Sequence, residues 1–308
     1  MIIIRQFEDI PNDWVNPVVT IGNFDGVHCG HQQILSRLAA LKQEYQGTSV
    51  VITFRPHPIK ILHPTKAPSL ICTYEEKLTL LEQNGVDAVI EIAFNRDFSA
   101  WSAERFVEEL LIERVGVHFV LAGPDSHFGR NRSGDATLLE AYGPEHGFGV
   151  ERLIPHLLDN SVVSSSRIRG LIASDGDVQG AARLLGRPFR LTGTVVKGDQ
   201  RGRTIGFPTA NLRLHTELVP FLGVYAAWAF RRDNIPIPAA VNVGVRPTFG
   251  KDALTVEAHL LDSNADLYGE VIRLDLVARI RGESRFESVE ALIEQINQDI
   301  AMVRKQLA

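Results

Sequence analysis

The spacing of apolar residues changes near Gly186, and this change constrains the fold more than any other feature of the sequence. Before it, short β-branched runs such as Val18–Ile21 and Ser49–Phe54 alternate with stretches of helical period, of which His31–Tyr45 is the clearest. After it, from Phe189 to Ile280, alternating or β-branched runs follow one another with Gly, Pro and Asn between them. The first pattern is typical of a parallel sheet covered by helices, and the second of an all-β unit.

We therefore predict two domains, residues 1–186 and residues 187–308. The second is expected to be a closed barrel, with a last helix from about Ser288 to Leu307 packed across it because its apolar residues recur at helical spacing. The chain has 308 residues, of which 44% are hydrophobic, enough to form two ordinary cores. No long low-complexity linker or internal repeat separates the halves.

Charge and cysteine content narrow the class of protein. A net charge of -5 and a pI near 6.1 provide no global field for nucleic acid or anionic lipid, so any phosphate binding must be local. The apolar start Met1–Ile4 is interrupted at once by Arg5 and is too short for a membrane span, so we predict a first strand. The two cysteines, Cys29 and Cys72, have no CxxC spacing. These features predict a cytoplasmic protein with no evident obligate protein partner.

A glycine-rich segment with two histidines, Gly22–His31 (the histidine loop), directly follows the strand Val18–Ile21. Its glycines would let the backbone turn sharply and approach a ligand, and the helix that follows would offer N–H groups to a phosphate. His28 and His31 could each donate an N–H to phosphate oxygens and, if protonated, add positive charge. Two alternatives are that both histidines only cap or pack, or that they bind a metal, for which no acidic or third histidine partner lies nearby.

The histidine loop, written GNFDGVHCGH, resembles the GxFDGxHxGH motif of the nucleotidyltransferase superfamily related to the HIGH-type synthetases. Members typically transfer a nucleotidyl group from a nucleoside triphosphate to a phosphate acceptor on a Rossmann-like domain. The resemblance implies that His28 and His31 are catalytic. It also implies that four residues of the loop bind the nucleotide: Gly22, Phe24, Asp25 and Gly26.

A second segment, Ser164–Arg169 with sequence SSSRIR, is similar to the SSTxIR signature of the same group. Serine hydroxyls and an arginine at a helix start suit the phosphates that leave as pyrophosphate, so Ser165, Ser166 and Arg169 are expected to bind the nucleotide. The alternative is an ordinary helix N-cap with a solvated arginine.

Two further segments, TFRPHP from Thr53 and GPDSHFG from Gly123, come where strands are expected to end, which is where ligands bind in open α/β sheets. They resemble the TFxPHP and GxDFxFG segments of bacterial FAD synthetases, and the second implies that Asp125 and Phe128 bind the flavin. Ser126 stands where the family usually has phenylalanine. The alternative for the TFRPHP stretch is a rigid turn made by its two prolines.

Another glycine-rich segment, Gly198–Leu212 (the glycine-rich loop), lies within the all-β half. Such a loop can surround a nucleotide with backbone N–H groups, and Thr209 and Asn211 point the same way if extended, so their oxygens could bind Mg²⁺. A glycine-rich barrel connection with a turn at Pro208 is the alternative.

The glycine-rich loop closely resembles the GxxxGRxxGFPTANL signature of riboflavin kinases. The resemblance implies that Gly198, Arg203 and Gly206 bind ATP and that Glu257 is the general base for the ribityl hydroxyl. Arg285 and Phe286 occupy the family's loop before the last helix and could close on the flavin. Without the resemblance, Glu257 is one acid in a strand, and in an alternating strand a solvent-facing carboxylate is the commoner case.

Over nearly its whole length the chain thus resembles the bifunctional prokaryotic riboflavin kinase/FAD synthetases. The resemblance implies a Rossmann-like nucleotidyltransferase domain and a riboflavin kinase-like barrel that act on riboflavin and FMN, produce FAD, and use ATP as co-substrate with Mg²⁺. A single-activity adenylyltransferase would leave the glycine-rich loop unexplained, and a flavin-storage protein would not need the residues assigned to catalysis. Turnover that requires ATP and Mg²⁺ separates an enzyme from a storage protein.

Overall fold

A computed structural model describes residues 1–198, 201–248, 251–263 and 265–308. Contacts between Cα atoms divide the chain into two units. The first unit consists of residues 1–68 and 74–163, and the second of residues 69–73 and 164–308.

The first unit is built on a six-stranded parallel sheet, which confirms the prediction for this half. Its strands are β1 (Ile2–Ile4), β2 (Val18–Ile21), β3 (Ser49–Arg55), β4 (Ala88–Ala93), β5 (Phe119–Ala122) and β6 (Gly149–Arg152). Their order in the sheet is β1-β4-β3-β2-β5-β6, and every neighbouring pair is parallel. The chain leaves β2 in one direction to form β3 and β4 and in the other to form β5 and β6. In such a sheet the crevice between the carboxyl ends of β2 and β5 is the expected ligand site.

Helices and short turns connect these strands. The helices are α1 (Cys29–Glu44), α2 (Pro58–Leu62), α3 (Tyr74–Gln83), α4 (Arg96–Ser99), α5 (Ala103–Arg105), which continues as a π-helical segment (Phe106–Arg114), and α6 (Ala136–His146). A short hairpin, β7 (Leu157–Leu158) with β8 (Ser161–Val162), follows β6. Helix α1 buries Leu35, Leu38 and Leu41, as its period predicts. Helix α6 was not predicted from the sequence because Gly143 and Pro144 interrupt its helical pattern.

The second unit is built on a six-stranded antiparallel closed barrel, which confirms the prediction of a barrel. Its strands are β9 (Phe189–Val196), β10 (Ala210–Leu214), β11 (Gly223–Phe230), β12 (Pro236–Thr248), β13 (Lys251–Leu260) and β14 (Val271–Arg281). They close in the order β10-β13-β12-β11-β14-β9. Buried and partly exposed residues alternate along β9, so one face of the strand fills the barrel interior.

In the described part of the chain, four helices belong to the barrel unit. They are α7 (Ser165–Gly170), which continues as a π-helical segment (Leu171–Asp175), α8 (Val178–Leu185), α9 (Arg201–Thr204) and α10 (Val289–Leu307). Helix α8 packs on β9 and β14 and buries Val178, Leu184 and Leu185. The division by contacts therefore falls after Val163, earlier than the predicted boundary after Gly186, because the apolar face of α8 is covered by the barrel.

The last helix, α10, lies across the barrel as predicted. Its Val303 is fully buried against Ala226, Ala278 and Leu261. An ion pair also joins helix and barrel, because Arg281 Nη2 of β14 lies 2.8 Å from Asp299 Oδ2, and the Asp299 side chain is 5% exposed. Among the residues described, no helix combines the length and apolar character needed to cross a membrane.

Candidate active sites

The histidine loop begins at the carboxyl end of β2, beside the crevice formed by β2 and β5. The Gly22 N–H donates to the Ile52 carbonyl of β3 at 3.0 Å, which holds the start of the loop against the sheet. Gly26 has φ +80°, and two non-glycine residues, Phe24 (φ +50°) and Val27 (φ +39°), also adopt left-handed backbone. Left-handed non-glycine residues are strained, and such strain concentrates at functional sites.

His28 and His31 lie together at the start of α1. His28 is the N-cap residue, and its Nδ1 accepts the His31 N–H at 3.3 Å. The two rings stack with centroids 3.7 Å apart and planes 13° apart. A Cβ on Gly30 would lie 3.2 Å from the His28 ring, so the glycine leaves room for this stack. Both histidines are therefore fixed by the local fold, and His28 does cap the helix, as one of the alternative interpretations proposed.

The His31 ring is held in its neutral form. Burial is the main reason that the pKa of His31 is well below its usual value, and the charges of His28 and Lys77 lower it further. The Nδ1 atom of His31 is buried and has no hydrogen-bond partner among the residues described. His31 thus offers a polar atom to a ligand, and the positive charge considered for it at the sequence level is disfavoured here.

The other predicted nucleotide-binding residues of the loop differ in exposure. The Phe24 side chain is 1% exposed in the hydrophobic core, with its ring centroid 4.9 Å from that of His31. Only the backbone of Phe24 is therefore available to a nucleotide. Asp25 is also buried, and a Cβ on Gly22 would lie 3.1 Å from the Phe24 ring.

A buried lysine below the histidine loop was not predicted from the sequence. Lys77 of α3 is 4% exposed, and its Nζ donates to Thr53 Oγ1 at 3.0 Å and to the Asn23 carbonyl at 3.4 Å. The signal in the sequence is a lysine one helical turn before the buried Leu81, on the face of α3 that packs inward. That signal indicates burial of the lysine but not its partners.

The segment after β5 reaches the same edge of the sheet as the histidine loop. Ser126 Oγ donates to the Ile21 carbonyl at 3.5 Å, so the serine that replaces the family's phenylalanine contacts the end of β2. Asp125 is exposed, whereas the Phe128 ring is buried 5.0 Å from the Phe106 ring. The predicted contact of Phe128 with a flavin stays a prediction, and this burial limits how much of its ring could take part.

The SSSRIR segment lies in the second unit. Ser164 is the N-cap of α7 and accepts the Arg167 N–H at 3.3 Å, as the alternative interpretation of this segment expects. Arg169 donates from Nε to the Ser69 carbonyl at 2.8 Å. Ser165 is partly exposed and Ser166 exposed. Their contribution to a nucleotide site stays a prediction, as does that of Arg169.

In the barrel, three polar residues lie side by side on neighbouring strands. Glu257 of β13 pairs with Asn211 of β10 on one side and with Asn242 of β12 on the other. Val256 and Ala258 are buried in the barrel interior, so the partly exposed Glu257 faces outward. Directly opposite residues share one face of a sheet, which places all three on the outside of the barrel wall. Glu257 is thus the solvent-facing strand carboxylate that was left open as an alternative.

The glycine-rich loop returns to Glu257. Thr209 Oγ1 donates to Glu257 Oε2 at 3.1 Å. A Cβ on Gly198 would lie 2.4 Å from Asn211 Cγ, and a Cβ on Gly202 would lie 2.4 Å from the Phe207 carbonyl oxygen. These two glycines therefore let the loop pass close to Thr209 and Asn211.

Gly206 and Arg203 complete the predicted nucleotide-binding set of this loop. Gly206 has φ +91°, a conformation that favours glycine. The backbone of Arg203 lies in α9, and its side chain is outside the described residues. Both assignments stay predictions.

His259 is a further residue of this site that sequence reasoning missed. It lies two residues after Glu257 on the same face of β13, and its ring Nδ1 is 2.7 Å from the Pro208 carbonyl. The Phe207 ring packs edge-on at 5.8 Å between centroids. The strand period could have found it, because residues two apart on a strand share a face.

The donor set around Glu257 fits Mg²⁺ better than a metal held by the protein alone. Thr209 Oγ1 and the Asn211 side chain are oxygen donors two residues apart beside a carboxylate. Mg²⁺ usually keeps several waters and substrate phosphates as ligands and needs few protein oxygens. Within the described part of the chain, no three His, Cys, Asp or Glu side chains form a group that could hold a metal.

Arg285 and Phe286 lie between β14 and α10. Arg285 is exposed, and the Phe286 ring is partly exposed, 5.6 Å from the Arg281 guanidinium. Arg281 is the residue that pairs with Asp299 of α10, so Phe286 lies next to the contact that anchors this helix. Closure of this loop on a flavin stays a prediction.

Comparison with known proteins agrees with both halves. Residues 10–167 match the family model described as FAD synthetase, and residues 185–307 match that described as riboflavin kinase. The bifunctional riboflavin kinase/FMN adenylyltransferase of Escherichia coli (strain K12) is 39% identical over 94% of this chain and 92% of its own. The protein of the same name from Pseudomonas fluorescens is 39% identical over 99% of this chain and 97% of its own.

A solved structure shows that the fold is shared over the full length. The crystal structure of a macrolide-efflux protein from Streptococcus pneumoniae is similar to this chain with a TM-score of 0.89 and 32% sequence identity, and it covers 98% of both chains. With both family models matched in order and relatives aligned from end to end, the chain belongs to the family of bifunctional riboflavin kinase/FMN adenylyltransferases.

Proposed function

We propose that the two halves catalyse successive steps of flavin cofactor synthesis. The barrel phosphorylates riboflavin with ATP to give FMN, and the parallel-sheet domain joins FMN to AMP from a second ATP to give FAD and pyrophosphate. The proposal assigns adenylyl transfer to residues 1–186 and the kinase to residues 187–308. The order of the two matched family models supports this assignment.

In the kinase reaction, Glu257 is the general base. Its carboxylate takes the proton from the ribityl hydroxyl while the hydroxyl oxygen attacks the γ-phosphorus, and ADP leaves as the bond from the γ-phosphorus to the bridging oxygen breaks. The Thr209 hydroxyl orients Glu257 from 3.1 Å. Mg²⁺, when bound by Thr209 and Asn211, neutralises charge on the ATP phosphates. Gly198, Arg203 and Gly206 hold ATP, and Arg285 and Phe286 cover the flavin.

In the transferase reaction, an FMN phosphate oxygen attacks the α-phosphorus of ATP, and pyrophosphate leaves as the bond between the α-phosphorus and the bridging oxygen breaks. Neutral His31 and its stacked neighbour His28 donate N–H groups to the phosphate oxygens, where negative charge accumulates. No covalent enzyme intermediate is needed. Further contacts to ATP come from Gly22, Phe24, Asp25, Gly26, Ser165, Ser166 and Arg169, and contacts to FMN from Asp125 and Phe128.

The contact between Thr209 and Glu257 is the observation that best supports this function. It brings the proposed base and the proposed metal ligands together although the two residues are 48 positions apart in the sequence. A carboxylate can act as a base only if it is held within hydrogen-bond reach of its substrate.

Two pairs of reactions in the same protein test the assignment. Purified protein is given riboflavin, ATP and Mg²⁺, and the sum of FMN and FAD is measured chromatographically, since FMN made by one site is consumed by the other. In a parallel tube it is given FMN, ATP and Mg²⁺, and FAD is measured. FAD in the second tube identifies FMN as the acceptor despite Ser126.

Variants then separate the two sites. Glu257→Gln should lower riboflavin phosphorylation by about 10²–10⁴-fold, the usual contribution of a general base, and leave FAD formation from FMN unchanged. The double variant His28→Asn/His31→Ala should do the reverse, and the asparagine retains an acceptable N-cap for α1. If either variant loses both activities while it stays folded, the two-site assignment is wrong.

We also propose that the small molecules riboflavin, FMN, FAD and ATP are the only partners that the function requires. The net charge of -5 gives no reason to add nucleic acid or a membrane surface. A cytoplasmic location is proposed because only two cysteines occur and neither lies in a CxxC motif.

A further inference from the structure

Lys77 is a buried charge for which the proposed reaction has so far no role. Its side chain is 4% exposed on α3, and its Nζ lies 5.3 Å from the centroid of the Tyr74 ring. Lysine is almost never fully buried unless its ammonium is paired, because removal of a charge from water is costly. A lysine at this depth therefore calls for a local explanation.

The Lys77 ammonium is bound to the histidine loop through a short hydrogen-bond chain. Nζ donates to Thr53 Oγ1 at 3.0 Å, and the Thr53 hydroxyl donates to the Asn23 carbonyl at 3.2 Å. Nζ also donates directly to the Asn23 carbonyl at 3.4 Å. Thr53 is fully buried, so the carbonyl of Asn23 is held toward the interior from two sides.

This hold on the Asn23 carbonyl determines the direction of the next N–H. A trans peptide is planar, and its C=O and N–H point in opposite directions. The N–H of Phe24 therefore points away from Lys77, and it has no hydrogen-bond partner among the residues described. Phe24 has φ +50°, so the loop accepts strained backbone at this peptide. An unpaired backbone N–H at the carboxyl edge of a parallel sheet is a donor suited to a phosphate oxygen.

Lys77 also supplies the charge that His31 does not. His31 is neutral because of its burial, with smaller effects on its pKa from His28 on the same loop and Lys77 on α3. Inside a protein a fixed cation interacts with a nearby anion much more strongly than in water. A triphosphate above the loop would thus meet a cation below it and N–H donors at its surface.

We propose that Lys77 is a positioning residue of the adenylyl-transfer site. Through Thr53 and the Asn23 carbonyl it aims the Phe24 N–H at the ATP phosphates, and its ammonium stabilises the negative charge that develops there during attack on the α-phosphorus. This inference rests on the proposed transferase function of the first unit.

The first test is Lys77→Met, which removes the charge and keeps an unbranched buried side chain. We expect kcat for FAD formation from FMN to fall about 10²-fold, as when one preorganised electrostatic contact is lost, with a smaller change in KM for FMN. Phosphorylation of riboflavin by the same preparation should not change. The matched control is Leu78→Met on the same helix, a volume-conserving swap at a residue that is 7% exposed, and it should keep both activities.

Thr53 provides a second, independent test. Thr53→Val removes the hydroxyl and keeps the shape, so it should reproduce much of the loss, whereas Thr53→Ser keeps the hydroxyl and should retain activity. In the double variant Lys77→Met/Thr53→Val the losses should be clearly less than additive, because both changes break one chain of contacts. Full activity of folded Lys77→Met, full activity of Thr53→Val, or strictly additive losses would each overturn the proposal.

Binding of inorganic pyrophosphate separates failure of this inference from failure of the proposed function. Calorimetry with pyrophosphate needs no turnover, and Lys77→Met should bind it at least about 10-fold more weakly than the original protein, about 1.4 kcal/mol. Equal pyrophosphate affinity overturns the role of Lys77. A protein that binds pyrophosphate in this Lys77-dependent way but makes no FAD from FMN would instead refute the acceptor in the proposed function.

Discussion

The substitution Gly198→Ala is expected to disable the kinase without unfolding the protein. The backbone at Gly198 is not in the left-handed region, so an alanine can adopt it. Its Cβ would however lie 2.4 Å from Asn211 Cγ and Nδ2 and 2.6 Å from Oδ1. The clash is therefore with a side chain that can rotate away, and that side chain is a proposed Mg²⁺ ligand.

The size of the effect follows from these distances. An ordinary contact begins at 3.4 Å, so the Asn211 side chain must move by about 1 Å, and a displacement of that size at a reacting site can cost about 10²-fold in rate. The free energy of unfolding should change by less than about 1 kcal/mol, because alanine also reduces the entropy of the unfolded chain. We thus expect a large loss of activity with little loss of stability.

The assay measures the sum of FMN and FAD made from riboflavin, with FAD formation from FMN as the internal control. Gly170→Ala is the matched control variant, because no heavy atom lies within 4 Å of its added Cβ. If Gly198→Ala acts through Asn211, adding it to Asn211→Ala should cause no further loss. Normal phosphorylation by folded Gly198→Ala would refute the reasoning, as would a further loss on the Asn211→Ala background.

Two other predictions concern stability. The pKa of folded His31 lies below the ordinary 6.5, so as the pH falls through about 6.5 the unfolded chain takes up a proton that the folded chain resists, and the free energy of unfolding decreases by up to about 1.4 kcal/mol per pH unit. Urea unfolding of His31→Gln should show a shallower dependence in this range, and an unchanged slope would contradict the assignment. Asp299→Asn leaves the Arg281 guanidinium without its buried counterion and should destabilise the second unit by about 3 kcal/mol in the same assay, whereas Glu294→Gln on the exposed side of α10 should have little effect. A change below about 1 kcal/mol for Asp299→Asn would show that the pair does not anchor the helix.

Features with a regular period or a long motif could be predicted from the sequence. The period of His31–Tyr45 and the alternation in the second half indicated the parallel sheet and the barrel, because burial of apolar residues on one face determines both. The histidine loop and the glycine-rich loop were recognised because glycines and their polar neighbours are grouped within a few positions.

Features that depend on tertiary contacts could not be predicted. Lys77 and His259 lie far in sequence from the loops that they contact, and nothing local to either residue indicates its partner. Helix α6 was missed because Gly143 and Pro144 interrupt its pattern, although Asp135 caps its start through the Thr137 and Leu138 N–H groups. The packing of α8 on the barrel moved the division of the chain because a helical period shows that a face is buried, but not what buries it.

The contacts of α8 have a consequence for attempts to isolate the kinase. A fragment that starts at Arg187 would strip α8 from β9 and β14 and expose apolar barrel surface that this helix now covers. It would also remove the Asp175 carbonyl that accepts from Arg279. A fragment that starts at Ser164 keeps both. The serine signature would then travel with the barrel, so the two catalytic activities cannot be parted by a single cut that leaves each with its full set of assigned residues.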